Sequence, residues 1–203
     1  MKELIVATRN TKKLFEIKDL LKDVDLKITS LLDYDGLPFV EEDGTTFSQN
    51  AIKKAVTIAM YTGKLTMGED SGLEVKALGN KPGVYSARYA GENATDEANN
   101  RKLLKELAGL PSPAMKLGGG RQARYRCFVA LADSKKLIDV VSGSCRGVIS
   151  LKEKGTNGFG YDPLFLIPKY GKTFAELNPE IKAGMSHRSR ALKKFRNIIQ
   201  KYF

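Results

Sequence analysis

The sequence predicts an α/β protein with a mixed β-sheet flanked by helices, and three observations support this prediction. Apolar residues at 4–7 indicate a short buried strand, which is followed by a polar turn and by helical apolar spacing over 11–22. Strand-like and helical segments go on alternating along the chain. Two long strand-like segments, 124–131 and 137–148, follow one another directly, which favours an antiparallel pair. The 203 residues fit one domain, 1–203, or two closely joined lobes.

The next elements in order are a helix and two short strands. Thr46 and Gln49 have the spacing of a capping box, which predicts a helix from there to about residue 61. Strands are expected over 66–69 and 73–77, on either side of a turn at Asp70-Ser71-Gly72.

The second half of the chain supplies two more helices and a linker. Thr95 is expected to cap a helix that runs to about Leu107. Proline and glycine make 111–120 the best linker candidate. The last helix carries one apolar face, formed by Leu192, Phe195, Ile199 and Tyr202.

Charge and cysteine content narrow the class of partner and compartment. The net charge is +11 and the pI about 9.6, which favours an anionic partner such as a polyphosphate or a nucleic acid. Cys127 and Cys145 form no C-x-x-C pattern, which disfavours a thiolate metal site and favours a reducing compartment. No segment has the length of a signal peptide or a bilayer span. The sequence therefore predicts a cytoplasmic protein with no membrane partner.

Thr8, Asn10 and Lys13 lie between the first strand and the first helix. Free N–H groups at a helix N-terminus attract anions, and Lys13 adds a full positive charge on the first turn. Together they could hold a triphosphate. The alternative is an asparagine cap beside a solvated lysine.

Two acidic spots are candidate ligands for Mg²⁺. Glu41-Glu42-Asp43 lies in a predicted loop, and Glu69-Asp70 ends a predicted strand. Mg²⁺ usually takes one or two carboxylates and completes its shell with water and substrate phosphates. The alternatives are a solvated loop for the first spot and an Asx turn for the second.

Two further segments carry groups suited to a heterocyclic base. The glycines of residues 158–163 favour a rigid loop that presents Phe159, Tyr161 and Asp162, unless the segment is a plain turn. At the last helix, Lys182, Ser186, His187 and Arg188 could donate hydrogen bonds to a keto oxygen or a phosphate. The alternative for His187 is an ordinary surface residue.

These segments together resemble the inosine triphosphate pyrophosphatase family from Leu4 to about Leu192. The motifs in chain order are Ala7-Thr8-Arg9-Asn10-x-x-Lys13, Glu42-x-Gly44-x-x-Phe47-x-x-Asn50-Ala51, Asp70-Ser71-Gly72-Leu73, Pro82-Gly83-x-Tyr85-Ser86-Ala87-Arg88, the Phe159 loop and Ser186-His187-Arg188. Several motifs in one order are far more specific than any single motif. The chain departs from the pattern at Glu69, where an aspartate is usual, and at Asn157, where glycine is common.

The resemblance implies hydrolysis of ITP, dITP and XTP to the monophosphate and pyrophosphate with Mg²⁺, which removes deaminated purines from the nucleotide pool. It implies an elongated sheet, two lobes with the active-site cleft between them, and a homodimer. The implied phosphate ligands are Thr8, Asn10 and Lys13, with Ser71 on the substrate side. The implied metal ligands are Glu42 and Asp70, and Asp70 is also the proton acceptor. The implied base site is Phe159, which stacks, with Gly160, Tyr161, Asp162, Lys182, His187 and Arg188.

Two other functions stay open from the sequence. A related class of pyrophosphatases acts on other modified or on pyrimidine triphosphates, and the donors at Lys182, His187 and Arg188 argue against it. A basic nucleic-acid-binding protein would explain the charge of +11. The low aromatic content of 8% and the lack of an RNA-binding signature disfavour it, so no specific nucleic-acid partner is expected.

Overall fold

A computed structural model describes residues 2–111 and 120–202, and the described residues form seven strands and five α-helices. The strands are β1 Lys2–Val6, β2 Leu26–Ser30, β3 Thr66–Val75, β4 Gln122–Ala132, β5 Leu137–Ile149, β6 Phe165–Ile167 and β7 Lys172–Thr173. The helices are α1 Thr11–Leu20, α2 Phe47–Thr62, α3 Asp96–Glu106, α4 Pro179–Met185 and α5 His187–Tyr202. None of the helices in the described ranges is long and apolar enough to cross a membrane.

The strands form one mixed sheet in the order β2-β1-β3-β4-β5-β6-β7. β1 runs parallel to β2 and to β3, whereas β6 is antiparallel to β5 and to β7. β4 and β5 are neighbours joined by residues 133–136, and so short a loop can connect antiparallel strands only. The predicted α/β fold with a mixed sheet and a central antiparallel pair is therefore confirmed.

The predicted helix starts are confirmed by their caps. Thr46 and Gln49 form a reciprocal capping box at α2, and Gly63 ends that helix with a left-handed φ of 69°. Thr95 caps α3, because its side chain accepts a hydrogen bond from the N–H of Ala98. The predicted linker at 111–120 falls almost wholly on 112–119, outside the described residues.

One prediction was wrong: Asp70-Ser71-Gly72 is not a turn. β3 runs unbroken through all three residues, and its side chains are buried along nearly the whole strand. An Asp-Ser-Gly triplet is typical of turns when read locally. Here the sheet neighbours and the covering helices override that preference, so Asp70 lies within a buried strand rather than at its end.

The chain divides into two compact units. The first unit comprises Met1–Ser71, Cys127–Gly143 and His187–Phe203, and the second comprises Gly72–Arg126 and Ser144–Ser186. In the first unit, apolar residues of α1 and α5, among them Ile17 and Phe195, pack with Val129 of β4. The second unit has its own core, which includes Leu103, Phe165 and Phe174. The expected single domain with a cleft between two lobes stays a prediction.

Candidate active site

The first helix begins as an anion-binding terminus would. Asn10 caps α1 by accepting the N–H of Lys13 at 3.0 Å, and Thr8 Oγ1 accepts the N–H of Asn10 at 3.1 Å. The Lys13 ammonium is not solvated as the alternative supposed, because it lies 2.9 Å from Glu69 Oε2. Burial lowers the pKa of Lys13, but the Glu69 and Asp70 carboxylates outweigh it and raise the pKa overall. Lys13 is therefore held in place as a cation.

Glu69 is the centre of a buried charge network. Its side chain is 1% exposed and pairs with Lys13 and with Arg188, whose Nη2 lies 3.1 Å from Glu69 Oε1. Arg188 also bonds to Glu16 of α1 and donates to Ser71 Oγ at 3.0 Å. Burial would raise the pKa of Glu69, but the surrounding cations dominate and hold it well below its usual range. Glu69 is thus a permanent anion that fixes two cations.

Asp70 points into a different environment from Glu69. Its Oδ2 accepts a hydrogen bond from Asn50 Nδ2 at 3.1 Å, and its Oδ1 lies 3.8 Å from the Lys54 ammonium. Burial, aided by the charges of Glu42 and Glu69, raises the pKa of Asp70 to about 6. A carboxylate of this kind is ionised at neutral pH and is a good proton acceptor.

The carboxylates of Glu42 and Asp70 share one cation, the Lys54 ammonium, which is 2.9 Å from Glu42 Oε2. Among the described residues, no group of three or more histidine, cysteine, aspartate or glutamate side chains could hold a metal ion. Two oxygen donors are the set that Mg²⁺ uses when phosphates and water complete its shell. The residues present therefore fit a divalent cation that arrives with a polyphosphate.

The glycine-rich loop of the second unit is built around the Asp162 carboxylate. Asp162 Oδ2 accepts the N–H of Phe159 at 3.0 Å and the Lys182 ammonium at 2.7 Å. That ammonium lies 5.4 Å from the centre of the Phe159 ring. Gly158 has a φ of +78°, and a Cβ there would meet Asp162 Oδ2 at 2.1 Å. The loop therefore requires glycine at this position for both reasons.

Tyr161 and Asp162 are buried, which corrects the expectation that the loop presents them beside Phe159. The Tyr161 hydroxyl donates to the Ser86 carbonyl at 2.8 Å. Burial and the Asp162 carboxylate raise the pKa of the Tyr125 phenol well above its usual value, consistent with a phenol that donates to Asp162. Of the three side chains, Phe159 alone keeps partial exposure.

The predicted donors of the last helix are buried, and they are divided between the two units. Lys182 lies in α4 of the second unit, whereas His187 and Arg188 begin α5 in the first. His187 is 5% exposed, so the reading of it as a surface residue was wrong. The roles predicted for these three residues in base recognition stay predictions.

Comparison with known proteins gives the family. A model of the Ham1 family matches residues 4–198. The chain belongs to the Ham1 family. A Desulforamulus reducens protein named dITP/XTP pyrophosphatase is 48% identical over 201 residues, which is 99% of this chain and 97% of that protein. A Geobacter sulfurreducens protein of the same name is 50% identical over 95% of this chain and 94% of its own length.

A solved structure agrees with this assignment. The HAM1 protein from Coxiella burnetii superposes with a TM-score of 0.86 at 37% sequence identity, and the match covers 99% of this chain and 100% of that chain. The predicted resemblance is therefore confirmed for nearly the whole chain, and with it the fold class.

Two residues that contact the predicted site residues, Lys54 and Glu16, were not predicted from the sequence. Lys54 was not singled out, although it lies four residues after Asn50 on the buried face of α2. A lysine among apolar positions of an amphipathic helix is the signal that could have found it. Glu16 gave no such signal, because Arg188 is 172 residues away along the chain.

Proposed function

We propose that this chain hydrolyses deaminated purine nucleoside triphosphates, namely ITP, dITP and XTP, to the monophosphate and pyrophosphate. The observation that carries the proposal is Asp70, a buried carboxylate with a pKa raised to about 6, beside Glu42 and Lys54 and near the Lys13 charge. Family membership and the names of the relatives support the same reaction.

The phosphates would be held at the start of α1. Lys13 offers a cation fixed by Glu69, while Thr8, Asn10 and the first N–H groups of the helix offer hydrogen bonds. Glu42 and Asp70 would hold a divalent cation, proposed to be Mg²⁺, which neutralises charge on the phosphates when it is bound.

The reaction needs one water molecule and one base. Water attacks the α-phosphorus, the bond from that phosphorus to the bridging oxygen breaks, and pyrophosphate leaves with this oxygen. The Asp70 carboxylate accepts the proton of the attacking water, as its raised pKa and Asn50 contact allow. Lys13 stabilises the negative charge that develops on the phosphates. Ser71, proposed to lie on the substrate side, accepts a hydrogen bond from Arg188.

The base would stack on Phe159 of the second unit. Lys182 lies beside that ring, and we propose that it, with His187 and Arg188, donates hydrogen bonds to the purine. Hypoxanthine and xanthine carry an oxygen at position 6, which accepts such bonds. Adenine carries an amino group there, and two donors that face one another when buried are costly. Gly160, Tyr161 and Asp162 would shape the loop around the base.

The remaining partners and the compartment are also proposals. We propose a homodimer in the cytoplasm, with no membrane or specific nucleic-acid partner. Cys127 and Cys145 are buried and form no disulfide, which suits a reducing compartment.

Pyrophosphate release from ITP, XTP, dITP, GTP, ATP and dUTP, with Mg²⁺ and with excess chelator, tests the proposal. We expect strong release from the first three, weak release from the others, and loss with chelator. Guanine also carries an oxygen at position 6, so the weak release expected from GTP requires discrimination at position 2. Preference for dUTP would instead indicate the related class of pyrophosphatases. Salt-dependent retention of DNA without any release would indicate the nucleic-acid-binding function.

A further inference from the structure

Two side chains of α3 hold the peptide groups of Gly160, the residue that follows Phe159. Asp96 Oδ2 accepts the Gly160 N–H at 2.9 Å, and Asn100 Nδ2 donates to the Gly160 carbonyl at 3.1 Å. Asp96 and Asn100 lie four residues apart, so they share one face of the helix. Asn100 is 2% exposed, whereas Gly160 is partly exposed, so the hydrogen bond between them is partly buried.

Hydrogen bonds from α3 fix the peptide groups of Gly160. Its φ is +62°, and apart from its chain neighbours no described atom lies within 4 Å of a Cβ built there. Glycine has unusual backbone freedom, so a loop glycine with open space on its Cβ side can readily reorient its peptide groups. Holding the N–H and the carbonyl from one rigid helix removes that freedom.

The position of the Phe159 ring depends on the same peptide groups. The N–H of Phe159 is fixed by Asp162, and the next peptide group along the chain is fixed by Asp96. The ring lies between these two anchors. A shift of the Gly160 peptide would therefore turn the ring relative to Lys182, which is 5.4 Å from its centre.

We propose that Asp96 and Asn100 are positioning residues for the purine: by holding Gly160 at both peptide groups, they fix the Phe159 ring for stacking. The inference rests on the proposed function, because it names what orders the base-binding loop of that reaction. Preorganisation of this kind lowers the free-energy cost of binding, so its loss raises KM for the purine triphosphate and leaves kcat nearly unchanged.

Asn100→Leu removes the donor and keeps the branched shape of the side chain, and Asn99→Leu is its matched control. Asn99 is also buried in α3, but it bonds to the Ala87 carbonyl and the Ala90 N–H instead of to Gly160. We expect Asn99→Leu to lose at least as much thermal stability as Asn100→Leu, because among the described residues the side chain of Asn99 makes two hydrogen bonds and that of Asn100 makes one. Only Asn100→Leu should raise KM for ITP, by about tenfold, as loss of a partly buried hydrogen bond predicts.

Asp96 gives a second test that does not depend on a buried substitution. Asp96→Asn keeps a side-chain oxygen that can accept the Gly160 N–H, so KM should stay near the wild-type value. Asp96→Ala removes the acceptor and should raise KM by about fivefold to tenfold. Glu97→Ala is the control, because it removes the other acidic residue of the first turn of α3.

The readouts separate this inference from the proposed function. If wild-type protein releases no pyrophosphate from ITP, the proposed function fails. If wild-type protein is active but folded Asn100→Leu and Asp96→Ala both keep the wild-type KM, the inference is overturned. An equal rise of KM in the Asn99→Leu and Glu97→Ala controls also overturns it, because the effect would then be one of general stability.

Discussion

The charge cluster of the first unit and the aromatic loop of the second are held by different forces. Around Glu69 and Asp70, four carboxylates pair with three cations, and all of them come from α1, α2, β3, α5 and the loop that carries Glu42. Around Phe159, the described residues include one buried ion pair, between Asp162 and Lys182, and the loop is otherwise held by side chains that bond to its backbone, as those of Asp96, Asn100 and Asp162 do. Hydrolysis requires tuned charges and protonation states, whereas selection of a base requires a fixed shape.

The same difference predicts how each set should respond to substitution. A change in the charge cluster leaves a buried charge without its partner, so its effects should be large and should fall on turnover or on stability. A change in the loop makes the position of the Phe159 ring less well fixed, so its effects should be smaller and should fall on KM. Each variant below tests whether changes in the charge cluster affect turnover or stability and changes in the loop affect KM.

Asp70→Asn should have the largest effect. The amide keeps the size and the contact with Asn50, but it cannot accept a proton, so kcat for ITP should fall by about 100-fold to 10,000-fold. Initial rates of pyrophosphate release measure this. Asp43→Asn is the control, since Asp43 is an exposed acid that pairs with Lys53, and its kcat should match wild type. A wild-type kcat in Asp70→Asn would exclude the proton-acceptor role.

Glu69→Gln should mainly reduce stability. It removes the carboxylate that pairs with Lys13 and one of the two carboxylates that pair with Arg188, so the free energy of unfolding at pH 7 should fall by about 3 kcal/mol. Urea unfolding measures the loss. Glu92→Gln is the control, because Glu92 is exposed and pairs weakly with Arg88, and an exposed pair contributes about 0–1 kcal/mol. Equal losses in the two variants would contradict the network.

Gly158→Ala and Gly171→Ala form a pair that tests the loop. Both glycines have a left-handed φ, +78° and +61°, so the backbone conformation alone should cost each alanine variant about 1 kcal/mol of stability. Only at Gly158 does the new Cβ collide with Asp162, and the resulting shift of the loop should raise KM for ITP about tenfold or more. An equal rise of KM in Gly171→Ala would contradict the expectation that the collision with Asp162 is what raises KM.

Local patterns predicted the elements well and the charge network poorly. The capping box at Thr46 and the strand-turn-helix unit that begins the chain are short-range features, and the structure confirms both. The turn at Asp70 was wrong because sheet pairing overrides a local preference. Tyr161 and Asp162 were expected on the surface of the loop, but burial in the second unit depends on partners distant in sequence. Residue spacing cannot reveal such partners.

We propose above all that hydrolysis depends on Asp70 and base recognition on Lys182. The most direct test compares kcat/KM for ITP with kcat/KM for ATP, as a ratio, in Lys182→Met and in Asp70→Asn. Lys182→Met removes a proposed donor to the base, so the ratio should fall by about tenfold or more. Asp70→Asn slows the chemical step for both substrates alike, so the ratio should stay at the wild-type value while both rates fall. A wild-type ratio in Lys182→Met, or a collapsed ratio in Asp70→Asn, would contradict the proposed roles of Lys182 in base recognition and of Asp70 in hydrolysis.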